Sequence, residues 1–406
     1  MINKYMFILF STFALIQVNL SAAENSSISE SIKNGSVNYN FRYRVEQVNQ
    51  AGFDEKALAS TLRARINYKT GSYNGFSVFT ELDSVIAIGK EQYNSGAGTS
   101  GAERAIYPVV ADPDGSEINQ AYISYTSPLK TTLKLGRQRL LLDNQRFVGG
   151  VGWRQNEQTY DGLTLDKNFD SSKVTYAYIN NVNRIFGDSV NAGDHASRTH
   201  LLNVRRDFSS GPLTAYYYSI NNKDAAAFST NTVGLSWKSN SFPGLSAFAY
   251  GLEYASQSDN ANNPVDYRAD YYRVDASYKF KPAKIYAGLE VLDGNSIIEG
   301  ASFKTPLATL HAFNGWADQF LATPNEGLED LFLGASGELN SFNWNIKYHN
   351  FSASKGNIDF GTELDFSLGK KFGKNYSALL KYADFNSGSL NYSNTSKFWF
   401  MLQANY

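Results

Sequence analysis

Apolar and polar side chains alternate with a period of two along most of the 406-residue chain. In VNYNFRYRVEQV, Tyr39, Phe41, Tyr43 and Val45 alternate with Asn38, Asn40, Arg42, Arg44 and Glu46. In TLRARINYK, Leu62, Ala64, Ile66 and Tyr68 alternate with Thr61, Arg63, Arg65 and Asn67. FNWNIKYH sets Phe342, Trp344, Ile346 and Tyr348 against Asn343, Asn345, Lys347 and His349. A strand sends successive side chains to opposite faces, whereas helical spacing would mix these two sets. The pattern predicts eighteen strands. The first nine lie near 36–49, 58–70, 75–88, 116–127, 130–140, 156–168, 172–186, 197–209 and 213–222. The other nine lie near 230–240, 244–257, 266–280, 283–292, 327–339, 341–353, 359–372, 376–385 and 395–406.

The connections alternate too. TGSYNG, SPLK, SSGP, SFPG, FKPA and FGKN are short and turn-like, while 89–115, 141–155, 187–196, 258–265 and 293–326 are long. Short turns at one end and long loops at the other are the pattern of an outer-membrane barrel. With the N-terminus in the periplasm, every long loop falls outside the cell. The last segment, FWFMLQANY, puts Phe398, Phe400, Leu402, Ala404 and Tyr406 on one face. That terminal aromatic strand is expected to be the partner of the barrel assembly machinery. The expected fold is all-β: a transmembrane antiparallel up-and-down barrel of about eighteen strands. Lipid and lipopolysaccharide would lie outside it and water inside, since sixteen to eighteen strands leave an aqueous lumen.

On this reading the polar set lines the lumen. The first two strands contribute Arg42, Arg44, Arg63 and Arg65, and the third contributes Glu81 and Asp83. Later strands add Arg273, Asp275, Lys279 and Lys347. Facing rows of opposite charge would set a field across the pore, and charged rings are how pores choose ions. The alternative is that these groups neutralise one another and only keep the wall wet.

LKLGRQRLLLDNQRFVGGVGWRQNEQTYDG, residues 133–162, collects Arg137, Arg139, Arg146 and Arg154. Simple parity puts Arg137 and Arg139 on the lipid face with Leu133 and Leu135, where a charge costs roughly 2 to 4 kcal/mol at the bilayer midplane. Either Gly136 marks a bulge that turns both inward, which is the favoured reading, or both sit at headgroup height. Arg146 and Arg154 fall in a Gly-rich loop that could fold over the mouth, or contact lipopolysaccharide phosphate.

Composition narrows the rest. Aromatic residues make up 15% of the chain, with 27 Tyr and 27 Phe, and there is no Cys. Disulfides and thiolate zinc sites are thereby excluded. Residues 1–23 read as a signal peptide, one lysine then an apolar run closed by Ser21, Ala22 and Ala23. Residues 24–406 then form a single barrel domain with 36 basic and 38 acidic residues. That balance offers nothing to nucleic acid. Four histidines, His195, His200, His311 and His349, stand without a serine in catalytic context, so an outer-membrane hydrolase is a minor alternative. DPDG at 112–115 and the stretch around Asp259 lack the twelve-residue calcium-loop spacing. No metal or other cofactor is expected.

Two stretches carry a resemblance. Residues 133–162 and FKTPLATLHAFNGWADQFLATPNEGLEDLFLG, residues 303–334, are similar to signature segments of the alginate export family of outer-membrane barrels. The first carries Gly136, Arg137, Gln138, Arg139, Arg146, Trp153, Arg154, Asp161 and Gly162. The second carries Thr305, Pro306, His311, Asn314, Gly315, Trp316, Ala317 and Asp318. The resemblance implies an eighteen-stranded channel in which arginines attract a chain of carboxylated sugars. It also implies a loop motif, His311, Asn314, Trp316 and Asp318, in the long outer loop, where Trp316 and Phe313 would stack on a sugar or pack the loop on the wall. Barrels of that family are stoppered by a long periplasmic turn near the C-terminus. Here the turn is only FGKN, 372–375, which favours a diffusion channel for anionic sugars or oligosaccharides over dedicated polymer export. Loops 89–115 and 293–326 folding inward would instead close the pore and favour an adhesin or structural barrel.

Overall fold

The computed structural model describes residues 25–242 and 244–406; the expected signal peptide lies outside them. The first half of the wall is β1 (Ser36–Gln50), β2 (Ala57–Lys69), β3 (Phe76–Ala87), β4 (Gly115–Thr126), β5 (Thr131–Gln138), β6 (Thr159–Asn168), β7 (Ser172–Asn183), β8 (Asp194–Phe208) and β9 (Gly211–Ile220). The second half is β10 (Thr230–Lys238), β11 (Phe248–Asp259), β12 (Arg268–Phe280), β13 (Ala283–Leu292), β14 (Leu328–Leu339), β15 (Phe342–Ser352), β16 (Asp359–Phe372), β17 (Tyr376–Ser387) and β18 (Thr395–Asn405). Each strand pairs antiparallel with its chain neighbours, and β18 closes on β1 with Tyr43 opposite Leu402. All eighteen expected strands are present, and no boundary differs by more than four residues. Closure pairs every strand edge, which a membrane-spanning sheet requires because lipid offers the backbone no partner.

Parity follows the alternation. Val78, Leu82, Ile123, Leu135, Leu252, Val274, Leu333 and Leu364 are exposed on the outer face. In β1, Arg42, Arg44 and Glu46 are buried inside. On β18, Phe398 and Leu402 face outward while Trp399 is fully buried inside. One end carries tight turns such as 127–130, 209–210, 340–341 and 373–375, together with a short helix α1 (Ile28–Lys33). The other carries 88–114, 139–158 and 293–327. The short β16–β17 turn is as expected, and nothing stoppers the barrel from that end among the described residues.

The lumen is filled from the opposite end. Leu142, Phe147 and Val148 of one loop and Phe303, Leu307, Ala317 and Phe320 of the other form one buried cluster. It includes the lumen-facing side chains Tyr216, Tyr218, Tyr271, Phe351, Phe360, Phe385 and Trp399. The apolar core of this protein therefore lies inside its barrel, at the level of the inward loops. Burying each such aromatic is worth about 1.5–3 kcal/mol, enough in sum to hold loops that carry no strand of their own.

Candidate functional site

The two inward loops are the two sequence motifs, and they are built on each other. Val148 and Leu307 form a parallel bridge. Gly149 donates to the Leu307 carbonyl at 2.8 Å and Thr309 to the Gln145 carbonyl at 3.0 Å. A Cβ on Gly149 would lie 2.2 Å from Thr309 Oγ1, so only glycine allows this approach. Gly315 has φ +84° and presses on Glu363, whose Oε2 would be 2.4 Å from an added Cβ. Ala317 donates its backbone N–H to Glu363 Oε1 at 2.8 Å.

Polar groups on the wall anchor both loops. Arg44, fully buried, pairs with Asp112 of loop 88–114 and donates to the Trp153 carbonyl. Asp112 also accepts from the Gln155 backbone N–H at 2.8 Å. Arg65 binds Asp83 through Nε at 2.5 Å and Glu157 at 2.5 Å. Arg139 bridges Glu157 at 2.5 Å and Glu81 at 3.0 Å. Burial alone would raise the Glu157 carboxyl, but Arg65 and Arg139 prevail and hold it down to about 2. Arg154 donates to Glu46 at 3.1 Å and to Asp318 at 3.0 Å. Arg146 meets Glu290 at 2.9 Å and Asn314 Oδ1 at 2.9 Å. The Asn314 amide in turn donates to Glu290 at 2.9 Å and to Asp330 at 3.3 Å.

A second knot joins loop 293–327 to β17 and β18. Asp318 takes His311 Nδ1 at 2.6 Å and Lys397 at 2.7 Å in addition to Arg154. Lys381 lies 2.6 Å from His311 Nε2 and 3.6 Å from the Trp316 ring centroid. Trp153 stacks on His311 at 4.7 Å. Trp316 and Phe313 are thus covered by Lys381 and Arg146, at 3.6 and 4.8 Å. Trp316 thus packs its loop against the wall lysine Lys381, and Phe313 packs it against Arg146 of the other inward loop.

Two of the candidate arginines differ from the rest. Arg42 donates to Gln155 Oε1 at 2.8 Å, to the Gly152 carbonyl at 2.9 Å and to the Arg154 carbonyl. Arg63 donates to the Gln155 carbonyl at 3.4 Å and to Asn40. They are opposite one another in the β1–β2 register, and their contacts are amide oxygens, not carboxylates. Both line a cavity of about 620 Å³ beneath the loops, toward the short-turn end, with Arg65, Arg139, Glu81 and Glu157. Four guanidinium groups face two carboxylates there. Arg273 lines a second cavity of about 340 Å³ with Lys238, Glu253 and Asp275, the last 2.9 Å from its Nε. Lys347 lies over Phe332 at 4.2 Å.

Arg137 corrects the sequence reading. No register shift occurs at Gly136 against either neighbour, so the favoured bulge is absent there. Arg137 stays on the outer face and pairs with Asp161 at 2.8 and 3.1 Å, at the long-loop end of its strand. Arg139 does turn inward, because β5 stops at Gln138 and strand parity no longer applies. Gly136 (φ +127°) instead lets β4 approach, since a Cβ would sit 2.3 Å from the Ala121 carbonyl oxygen. Arg137→Gln is therefore expected to leave single-channel conductance and ion selectivity unchanged. A shift in either would place Arg137 in the pore after all.

Of the carboxylates that fix the loops, Glu46 was named only in the polar set of β1 and Asp112 only in the DPDG stretch; Glu157, Glu290, Asp330 and Glu363 and the wall lysines Lys381 and Lys397 were not singled out from the sequence. A signal existed for several: each strand residue among them stands at lumen parity amid buried aromatics. Among the described residues no group of three or more His, Asp or Glu is placed to hold a metal ion.

Several solved barrels share this architecture. Acinetobacter baumannii OccAB2 has a TM-score of 0.72 at 17% identity, over 93% of this chain and 99% of that one. Pseudomonas aeruginosa OccK9 (OpdG) has 0.69 at 14%, over 92% and 99%. Pseudomonas aeruginosa OpdK, solved with vanillate, has 0.67 at 10%, over 91% and 98%. A search of curated protein sequences gives no match. The alginate export family model matches residues 34–291, which include the first motif and the whole of strands β1 to β12. With that match over more than half its length, and a closed eighteen-stranded barrel carrying inward motif loops, the chain belongs to the alginate export family and is a porin-like β-barrel of the outer membrane.

Proposed function

We propose that the barrel passes small anionic solutes, carboxylated sugars and short oligosaccharides among them, down their gradient through the lumen beside the inward loops. The observation that carries this reading is the Arg42–Arg63 pair. Two adjacent guanidinium groups line a polar cavity and, among the described residues, are hydrogen-bonded to amide oxygens and to no carboxylate. Their charge is not cancelled at contact distance, and Arg offers a donor fork matched to a carboxylate. Arg44, Arg65, Arg139, Arg146 and Arg154 pair with carboxylates that hold the loops. Vanillate, the ligand named for OpdK, is itself a small carboxylate. The short β16–β17 turn argues against dedicated polymer export. The channel needs no covalent chemistry and no catalytic constellation; the outer aromatic face meets lipid and lipopolysaccharide, and the terminal strand β18 serves recognition by the assembly machinery.

In a planar bilayer under a salt gradient, the Arg42→Gln, Arg63→Gln double variant is expected to lose anion preference roughly threefold. An unchanged reversal potential would remove the pair from the pathway and with it this reading.

A further inference from the structure

Every strand has two neighbours, but along β4 the second one stops halfway. Gly115–Gln120 runs beside β3, with Glu117 opposite Asp83. On its other side β5 pairs with β4 only from Ala121, opposite Arg137, to Thr126, opposite Thr132. β5 ends there because the chain turns into the lumen at Arg139, which binds Glu157 and Glu81. The wall resumes with β6 at Thr159, past the inward loop, and Tyr160 meets Gln138 at the top of β5. Toward the long loops, β4 and β6 therefore have no strand between them. Neighbouring strands lie about 4.8 Å apart, so this notch is roughly 10 Å wide, the place of one absent strand. Both of its sides carry a bulge at sill height, at Glu81–Leu82 in the β3–β4 ladder and at Asp161–Gly162 in β6. Bulges bend a strand and disrupt its pairing.

One side chain bridges the notch. Arg137 stands on the last rung of the short seam. Its Nε and Nη2 hold Asp161 of β6 at 2.8 and 3.1 Å, and its Nη1 donates to the Ile118 carbonyl of β4 at 3.1 Å. The Asn183 amide steadies Asp161 at 3.0 Å. Lipid offers an open strand edge no partner; here a guanidinium stands in for the missing ladder. Its grip is uneven, bidentate on β6 and a single hydrogen bond on β4, so the β4 end releases first.

The notch separates two unlike surroundings. Outside, Leu82 and Ile118 are paired across the β3–β4 ladder and exposed toward lipid. Inside, at the sill, Asn119, Gln120 and Arg139 all donate to Glu81, at 2.8, 2.8 and 3.0 Å. Glu81 and Arg139 line the cavity that holds Arg42 and Arg63. From these features we infer that the notch is a side window, latched by Arg137, through which a single-chain amphiphilic acid moves between the outer leaflet and the lumen. The two ends fix the chemistry. Lipid outside suits an apolar tail, and the guanidinium-lined cavity inside suits a carboxylate. A gap one extended chain wide excludes lipids with several acyl chains. The window opens on lipid and on neither bath, so the ion path is untouched. The window itself rests on the wall geometry; only the destination of the carboxylate, Arg42 and Arg63, rests on the channel reading above.

The test places the full barrel in phosphatidylcholine vesicles with palmitic acid that carries a diazirine near its carboxyl group. Irradiation is expected to mark Glu81, Gln120 and Arg139 on the lumen side, read residue by residue by mass spectrometry. Phosphatidylcholine bearing the same group should mark only outer-face residues such as Leu82 and Ile118. Arg137→Leu removes the latch and should raise lumen marking by palmitic acid at least about threefold, within what a half-exposed ion pair can hold back. The chain has no cysteine, so a short bis-maleimide joining Ile118→Cys to Asp161→Cys closes the window alone. Closure should abolish lumen marking by palmitic acid and spare marking by a water-soluble butyric acid probe that enters through the mouths. Lumen marking that survives closure overturns the window, and so does equal lumen marking by phosphatidylcholine. Absence of lumen marking in the parent barrel overturns it even if neither variant folds. The Arg42→Gln, Arg63→Gln variant should keep its marking at Gln120 and Arg139, so the channel reading and the window can fail independently.

Discussion

Replacing residues 305–318 with a short Gly-Ser linker is expected to raise single-channel conductance at least about threefold, since a barrel of sixteen to eighteen strands is wide enough for an open aqueous channel. The segment removes His311, Asn314, Trp316 and Asp318 together, and with them the ties to Glu290, Asp330, Glu363, Lys381 and Lys397. Loop 139–158 loses support at the same time, because Gly149 and Val151 bond Leu307 and Thr309. Arg146 and Arg154 would then each keep one wall carboxylate, Glu290 and Glu46, but no partner on the other loop. The eighteen-strand ladder does not depend on either loop, so the variant should still insert and still resist unfolding as a barrel. A conductance equal to that of the parent would show that the solute path runs wholly outside the volume these loops occupy. Small steps in the parent and large ones in the variant would establish the loops as the constriction.

The wall was legible in the sequence and its contents were not. A strand announces itself through a period of two, so every strand from β1 to β18 could be placed before any contact was known. Lumen facing was equally plain for Arg42, Arg63 and Glu81, where polar residues alternate with lipid-facing apolar ones. The loops carry no period, and their glycines, Gly149 and Gly315, act through close approaches to residues far away in the chain. A charged residue at lumen parity reads as water-facing, yet Arg44 and Glu46 are sealed from water by Asp112, Trp153 and Arg154 from two different loops. Sequence parity gives a side of the wall; it does not say whether another segment occupies that side. The clue was the failure of the alternation where both parities are apolar, as at Tyr216, Tyr217 and Tyr218. There the outer tyrosine faces lipid and its neighbours stack at 4.9 Å inside, against Phe147. Arg137 failed for a different reason. The charge that parity placed on the outer face is tolerable at the strand end, because Asp161 on the next strand neutralises it.

The knot around His311 should make the inner loops acid-sensitive. His311 donates from Nδ1 to Asp318 and accepts at Nε2 from Lys381, an assignment fixed by the two partners. Both ring nitrogens are thus used by the neutral form. A second proton would put N–H against the Lys381 ammonium and lose that bond. Burial lowers the imidazole, Asp318 opposes and Lys381 adds to the effect, leaving it at about 3 against an ordinary 6.5. Arg154 and Lys397, on the loop and on β18, face the same carboxylate and disfavour another positive charge. A base depressed in the docked state contributes its full stability above 6.5, and loses it as pH falls toward 3 because the undocked loop takes the proton first. Each unit in that window weakens docking by about 1.4 kcal/mol. Burial would raise Asp318, but His311 and Lys397 prevail and hold it well below the ordinary carboxylate value. Its contribution is lost at the acid end of the same window, in the same direction. Lowering pH from 7 to 4.5 is therefore expected to raise the open conductance or its noise in the parent channel by mobilising loop 293–327. His311→Gln keeps one donor and one acceptor without the titration, and its channel should be flat over that range. Parallel responses in the two proteins would assign the acid effect to the wall carboxylates and leave His311 a packing residue.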